Sequence, residues 1–284
     1  MTDRKPSQTA AMIAAYRARG SQGERAWYDD PWAAGLAGPE GDAHRAAMDR
    51  IYPAMQLWVD IRTAYLDGLV RRYIGAPRSL RQVVILGAGL DTRAARLASE
   101  GVAFYEVDHP ASQAMKHARL DALSGYPGSA ATFVSCDFER ESAVSALGRS
   151  AFDFMEPALV LWEGVTPYLQ EAAVRTTVRA IAESCHEDTV LAFDYLSKRK
   201  EDAKSTRNDT QQLVADLGEP VVWGTNDVLP LLVEEGMRSV ETASFDDLCL
   251  ALTGTYDRER EFRFQRIAVA SRRVGRFAML GEPG

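Results

Sequence analysis

The sequence predicts an α/β protein, a seven-stranded, mainly parallel sheet with helices on both faces, preceded by a helical N-terminal segment. Three observations predict it. Gln82-Val83-Val84-Ile85-Leu86 runs straight into Gly87-Ala88-Gly89. A strand buried on both faces reads as such a continuous apolar run, and a glycine pair at its carboxyl end permits a tight turn close to a ligand. From residue 81 onward, short apolar runs recur with helical stretches between them, the signature of a parallel sheet covered on both sides. Finally, each of the first five runs ends in glycine or an acid, at the edge where such sheets bind ligands.

In chain order, residues 1–80 read as mostly helical. Asp30-Pro31 marks a turn or helix start, since proline suits a first helical position. Residues 35–42, with three glycines and a proline, read as a loop. Pro53–Ile74 reads as one helix with Leu57, Ile61, Tyr65 and Leu69 along a face, ended by Gly75-Ala76-Pro77. The strands are Gln82–Leu86, Val102–Val107, Ala131–Ser135, Ala158–Leu161, Thr189–Phe193, Met237–Thr242 and Arg266–Ala270. Thr92 to Glu100 has helical spacing after the glycine turn. The first five strand ends are Gly87-Ala88-Gly89, Glu106-Val107-Asp108, Asp137, Glu163 and Asp194. Residues 197–225 begin with a charge run, which reads equally as a solvated face or as a lid leaving the active edge. Residues 1–80 and 81–284 together form one structural domain.

Composition narrows the function. The chain has 284 residues, 46% hydrophobic and 26% charged, which suffices for a sizeable core. A net charge of -7 argues against a broad footprint for nucleic acid or an anionic membrane. No apolar run approaches the length of about 18 residues that would span a bilayer, and the N-terminus lacks a signal-peptide core. Three scattered cysteines offer neither a disulfide framework nor a zinc spacing, which fits a cytoplasmic protein. The four histidines are scattered too, so no metal site is expected.

The acids and glycines point to a nucleoside. A βαβ nucleotide site needs open backbone at the first turn and an acid for the ribose after the second strand. Asp108 follows Gly89 at about the usual spacing of 20 residues. Dinucleotide sites also want a third glycine, and that position here is Thr92, which counts against NAD. Asp137, after the third strand, suits an adenine amine. Together these features fit S-adenosylmethionine. Glu163 interrupts an apolar run, costly if buried unpaired, and so reads as functional.

At these positions the chain resembles the leucine carboxyl methyltransferase family, in its bacterial branch of natural-product O-methyltransferases. The resemblance rests on Ile61-Arg62-Thr63 with Asp67, on QVVILGAGLDTRAARL at 82–97, and on YEVDHP at 105–110. It continues through Cys136-Asp137-Phe138 and LWEGVTPYL at 161–169, with Asp30-Pro31-Trp32-Ala33 near the N-terminus, and covers roughly residues 25–275. It implies a class I methyltransferase (Rossmann-like) fold with a helical N-terminal cap. It also implies a set of roles. Arg62 would hold the cofactor's carboxylate, and Gly87, Ala88 and Gly89 would line its methionine and ribose. Asp108, with Glu106 as second choice, would take the ribose hydroxyls. Asp137 and Phe138 would bracket the adenine, and Glu163 would approach the amino group. His109 and the run Glu163-Gly164-Val165-Thr166-Pro167 depart from the family's usual residues, on the substrate side.

Methyl transfer from a sulfonium needs only an oxygen in line with the methyl–sulfur bond. A carboxylate, ionised at neutral pH, needs positioning rather than a base. A phenol would want a base within reach. Without a well-placed histidine, a carboxylate of a small molecule or peptide is the expected acceptor and a hydroxyl the alternative. Tyr168, Tyr195 and Arg199, after strands four and five, are candidates for the acceptor pocket. The rival from another class is a cofactor-binding protein that has lost catalysis.

Overall fold

The structure, a computed structural model, describes residues 7–24, 26–198, 212–255 and 264–274. All seven expected strands form, as β1 (Gln82–Leu86), β2 (Ala103–Asp108), β3 (Thr132–Ser135), β4 (Ala158–Trp162), β5 (Val190–Leu196), β6 (Ser239–Ser244) and β7 (Gln265–Ser271). They lie in the order β3-β2-β1-β4-β5-β7-β6. Strands β1 to β5 are parallel, while β7 runs antiparallel between β5 and β6. The order reverses between β1 and β4, so the crevice outside their carboxyl ends is the topological switch point.

Side chains alternate across each strand, and the sheet divides two apolar layers accordingly. Val83, Ile85, Leu159, Leu161, Val190 and Ala192 face one layer, with helix α3 (Met55–Ile74). Val84, Leu86, Val160, Trp162, Leu191 and Phe193 face the other, with α7 (Glu171–Ser184). Further helices are α1 (Gln8–Ser21), α2 (Ala33–Ile51), α4 (Arg93–Arg96), α5 (Pro110–Leu120), α6 (Ala143–Leu147), α8 (Leu229–Glu234) and α9 (Phe245–Thr253). A short 3-10 helix spans Thr166–Tyr168.

Three local expectations change. Residues 35–42 are not a loop but lie within α2, which breaks only at Gly38, where φ is 64°. Pro39 then opens a new helical run, where its missing N–H costs nothing. The helix after the glycine turn is four residues long rather than the stretch Thr92–Glu100, because Arg93 and Arg96 turn inward to buried carboxylates. On α3, Ile61 and Leu69 are buried as expected and Leu57 and Tyr65 only half-buried, and the buried face also takes in Trp58, Arg62, Thr63, Leu66 and Asp67. Polar residues on that face break the apolar periodicity because they serve the site below.

Candidate functional site

One cavity opens at the switch point. Gly87, Ala88 and Gly89 form its floor. Gly87 and Gly89 have φ of 64° and 47°, and a Cβ on Gly87 would collide with the Val165 side chain at 2.3 Å. Both positions therefore require glycine. At the end of β2, the two oxygens of Asp108 accept the backbone N–H groups of Gly89 (2.5 Å) and His109 (2.6 Å). Burial raises the pKa of Asp108, and the two N–H donors only partly offset that. Each oxygen keeps further lone-pair capacity for a ligand hydroxyl. His109, Ser112 and Phe138 extend this wall.

The opposite wall is an ion network. Arg62, 5% exposed, reaches from α3 to Asp194 at 2.6 Å and to within 2.8 Å of Glu163. Arg93, 1% exposed, holds the other Glu163 oxygen at 2.6 Å and Asp67 at 2.7 Å, and also pairs with Asp91. Burial would raise Glu163, yet the Arg93 and Arg62 guanidiniums outweigh it and hold the carboxyl below its ordinary value. Asp194 has Arg62 and the Gly164 N–H (2.6 Å), and there burial prevails, so its pKa is raised. Behind these, Asp30 joins Arg17 and Thr92, and Arg96 grips Asp67.

Strand parity sorts the remaining candidates. Asp194 faces the α3 side of β5, so Tyr195 faces away, buried against Phe193 in the other layer and not on the cavity. Glu106 lies two residues below Asp108 on the same face and also misses the cavity. It is sealed in against Lys116, whose ammonium also reaches the Asp91 carbonyl at 2.5 Å. Burial, opposed by Lys116, pushes Glu106 up to about 7. Asp137 is half-buried beside the cavity rather than on it, accepting the Glu139 N–H at 3.1 Å. Tyr168 lines the cavity, and Arg199 lies outside the described residues. Sequence reasoning missed the contribution of α1, whose Thr9, Ala10 and Met12 close the cavity over Gly89. The one sequence signal was small residues, for Ala10 sits 3.1 Å from where a Gly89 Cβ would be. It also missed Asp194 as a partner of Arg62, and Glu219 on the far wall.

The cavity extends from β2 past β4 and β5 to the start of β7, roughly 20 Å at the usual strand spacing. Its β7 end is apolar, with Met55 and Trp58 of α3, Leu196, Val214 and Phe264. Among the described residues there is no group of histidine, cysteine or carboxylate side chains placed to hold a metal ion. No helix among them is long and apolar enough to cross a membrane.

Strand order, glycine turn and acid-lined edge define the class I methyltransferase fold. The family model described as leucine carboxyl methyltransferase matches residues 10–182, and the chain belongs to that family. A candidate S-adenosyl-L-methionine-dependent methyltransferase of Mycolicibacterium paratuberculosis is 38% identical over 180 residues, 58% of each chain. Its counterpart in Mycobacterium marinum is 30% identical over 258 residues, 84% of this chain and 85% of that one. The chain thus spans under two thirds of the first relative and most of the second. Among solved structures, a DUF574 family protein from Streptomyces avermitilis superposes with a TM-score of 0.65 at 17% identity. That match covers 93% of this chain and 97% of the other. A candidate methyltransferase from Thermobifida fusca gives 0.62 at 13%, covering 94% and 95%. Both share the fold.

Proposed function

We propose that this chain transfers the methyl group of S-adenosylmethionine to an oxygen of a small, largely apolar molecule or peptide, of the natural-product kind. The observation that carries the reading is the cavity's division into a polar, acid-lined part, from Asp108 at β2 across to Glu163 and Asp194 at β4 and β5, and an apolar end formed by Met55, Trp58, Leu196, Val214 and Phe264. S-adenosylmethionine fits the polar part. Asp108 has lone pairs for ribose hydroxyls, Phe138 offers a face to a base, and Gly87 and Gly89 permit close approach. Arg62 would take the carboxylate, and Glu163 with Asp194 would face the ammonium. Five carboxylates line the cavity (Asp91, Asp108, Glu163, Asp194, Glu219) against the guanidiniums of Arg17 and Arg62. That excess suits a cofactor bearing a net positive charge.

The bound cofactor would supply an activated methyl group. The chain's own part is to orient an oxygen and exclude water around it. A carboxylate is the acceptor that needs least from the protein. A hydroxyl is favoured by the charges in place, because Arg17 is held on Asp30 and Arg62 is assigned to the cofactor's carboxylate, which leaves no guanidinium among the described cavity residues for a second carboxylate.

Calorimetry tests the cofactor, with S-adenosylmethionine and S-adenosylhomocysteine expected to bind and to raise the melting temperature. Binding of NAD and of neither sulfur ligand would sink the assignment. Turnover with added chelator should be unchanged. A methyl ester product would be labile to mild base, and a methyl ether would survive it.

A further inference from the structure

The segment after β5 re-enters the described structure at residue 212 and closes the apolar end of the cavity. It is tied down by its backbone. The N–H groups of Val222 and Trp223 donate to the Pro167 carbonyl at 2.8 and 3.0 Å, and that of Thr225 to the Leu196 carbonyl at 2.8 Å. Gly224 lies so close to Leu196 that a Cβ would come within 2.5 Å of its carbonyl oxygen. Glu219, whose own N–H donates to the Val214 carbonyl at 3.2 Å, lies on the cavity wall that Val214, Val221 and Phe264 also line. Across the opening, the Thr9 hydroxyl of α1 donates to the Glu219 carboxylate. No guanidinium or ammonium among the described residues pairs with it, unlike Glu163 and Asp194 on the opposite side. Tyr168, on the same cavity, feels Glu219 as well as Arg62 and Asp194. Burial first, and then Glu219, raise its pKa, so its hydroxyl remains a neutral donor.

A carboxylate that shares its wall with apolar side chains and is satisfied by a single hydroxyl is a receptor for another hydroxyl. We propose that Glu219 selects the methyl acceptor: the acceptor is an uncharged, largely apolar alcohol or phenol whose hydroxyl donates to Glu219 in place of Thr9. An acceptor carboxylate at the same place would meet Glu219 as a like charge. The inference rests on the methyltransferase reading above and goes beyond it by naming the acceptor's chemical class and the residue that chooses it.

The test loads the protein with S-adenosylhomocysteine and titrates 2-naphthol and 2-naphthoate at pH 7 by calorimetry. The two probes share a ring. The first is neutral at that pH and the second ionised. Wild type should bind the naphthol roughly tenfold more tightly, the scale of one hydrogen bond to a charged group. Glu219→Gln should bring the two within about threefold, by weakening the naphthol and relieving the naphthoate. Thr9→Val removes the competing hydroxyl without touching the carboxylate. It should tighten the naphthol by about threefold, and it keeps the proposal testable if Glu219→Gln fails to fold. Tighter binding of the naphthoate to wild type would overturn the proposal. So would a probe ratio unmoved in Glu219→Gln, a naphthol affinity unmoved in Thr9→Val, or binding of neither probe to the loaded protein. Failure of S-adenosylhomocysteine itself to load would instead overturn the methyltransferase reading.

Discussion

Asp108 and Glu163 stand on opposite walls of one cavity and are held there by opposite means. Asp108 is fixed by two backbone N–H groups, one of them next in sequence and the other in the adjoining glycine turn. Glu163 is fixed by two guanidiniums, Arg93 and Arg62, each brought from a distant part of the chain. The first arrangement forms wherever β1 and β2 pair. The second exists only when α3, α4 and β4 have all docked. Backbone donors make the Asp108 wall, the left, a product of local structure, whereas buried charges make the Glu163 wall, the right, a product of the whole fold. Substitutions on the right should therefore cost folding, and substitutions on the left should cost ligand.

Arg93 gives the largest separation of the two. It is fully buried and serves Asp67, Asp91 and Glu163 at once. Removing one partner of a buried ion network leaves uncompensated charge and costs about 3–5 kcal/mol. Arg93→Ala should lose that much in urea unfolding, or fail to accumulate as folded protein. A stability within about 1 kcal/mol of wild type would show that the network is not what holds this wall.

Arg62 lies between the two behaviours. From sequence alone, Arg62→Ala reads as a pure binding variant that folds normally and loses about 2 kcal/mol of cofactor affinity. The structure revises the first half, because Asp194 would keep only the Gly164 N–H. A measurable loss of stability should accompany the loss of S-adenosylhomocysteine affinity. Arg62→Lys should restore much of the stability and less of the affinity, since an ammonium cannot reproduce the planar fork. Equal recovery of both would mean that Arg62 contributes charge and no geometry.

The same division decided what the sequence could reveal. All seven strands were legible, because parallel strands buried on both faces are continuous apolar runs. Gly87, Gly89 and Asp108 were legible because their spacing is local. The pairing of Arg62 with Asp194, 132 residues away, leaves no local trace. Strand parity could have removed Tyr195 once Asp194 was set on the inner face, but parity needs a fixed strand register. The closure by α1 was hidden for a different reason. Its cavity face is Thr9, Ala10, Met12, Ile13 and Arg17, whose mostly small and apolar residues also suit any packed helix. The kink at Gly38 looked like a loop because glycine and proline mark loops and helix breaks alike.

On the left wall, Asp108→Asn should cost about 1 kcal/mol of stability and weaken S-adenosylhomocysteine by more, about 1–2 kcal/mol. An amide can present its oxygen to one of the two N–H groups, but its NH₂ then faces the other. Calorimetry and unfolding on the same sample separate the outcomes. A larger loss of stability than of affinity would place Asp108 with the structural wall.

Glu106 offers the smallest effect and the cleanest sign. It sits beneath Asp108, off the cavity, paired with Lys116. Burial lifts its pKa from the ordinary 4.5 to about 7 in the folded protein. A carboxyl whose pKa is higher when folded binds its proton more tightly in that state. Its contribution is fully present below the unfolded value and is lost as pH rises through the folded one. Between pH 4.5 and 7 this residue should therefore make wild-type stability fall with pH, by at most about 1.4 kcal/mol per unit for one proton. Glu106→Gln cannot titrate. It should begin close to wild type at pH 4.5, where Glu106 is itself protonated, and its stability should decline less steeply with pH across that window. Parallel pH profiles for the two proteins would mean that Glu106 stays ionised against Lys116 throughout, and that the salt bridge outweighs the burial. In that case the lower left wall, like the right, is held by charge.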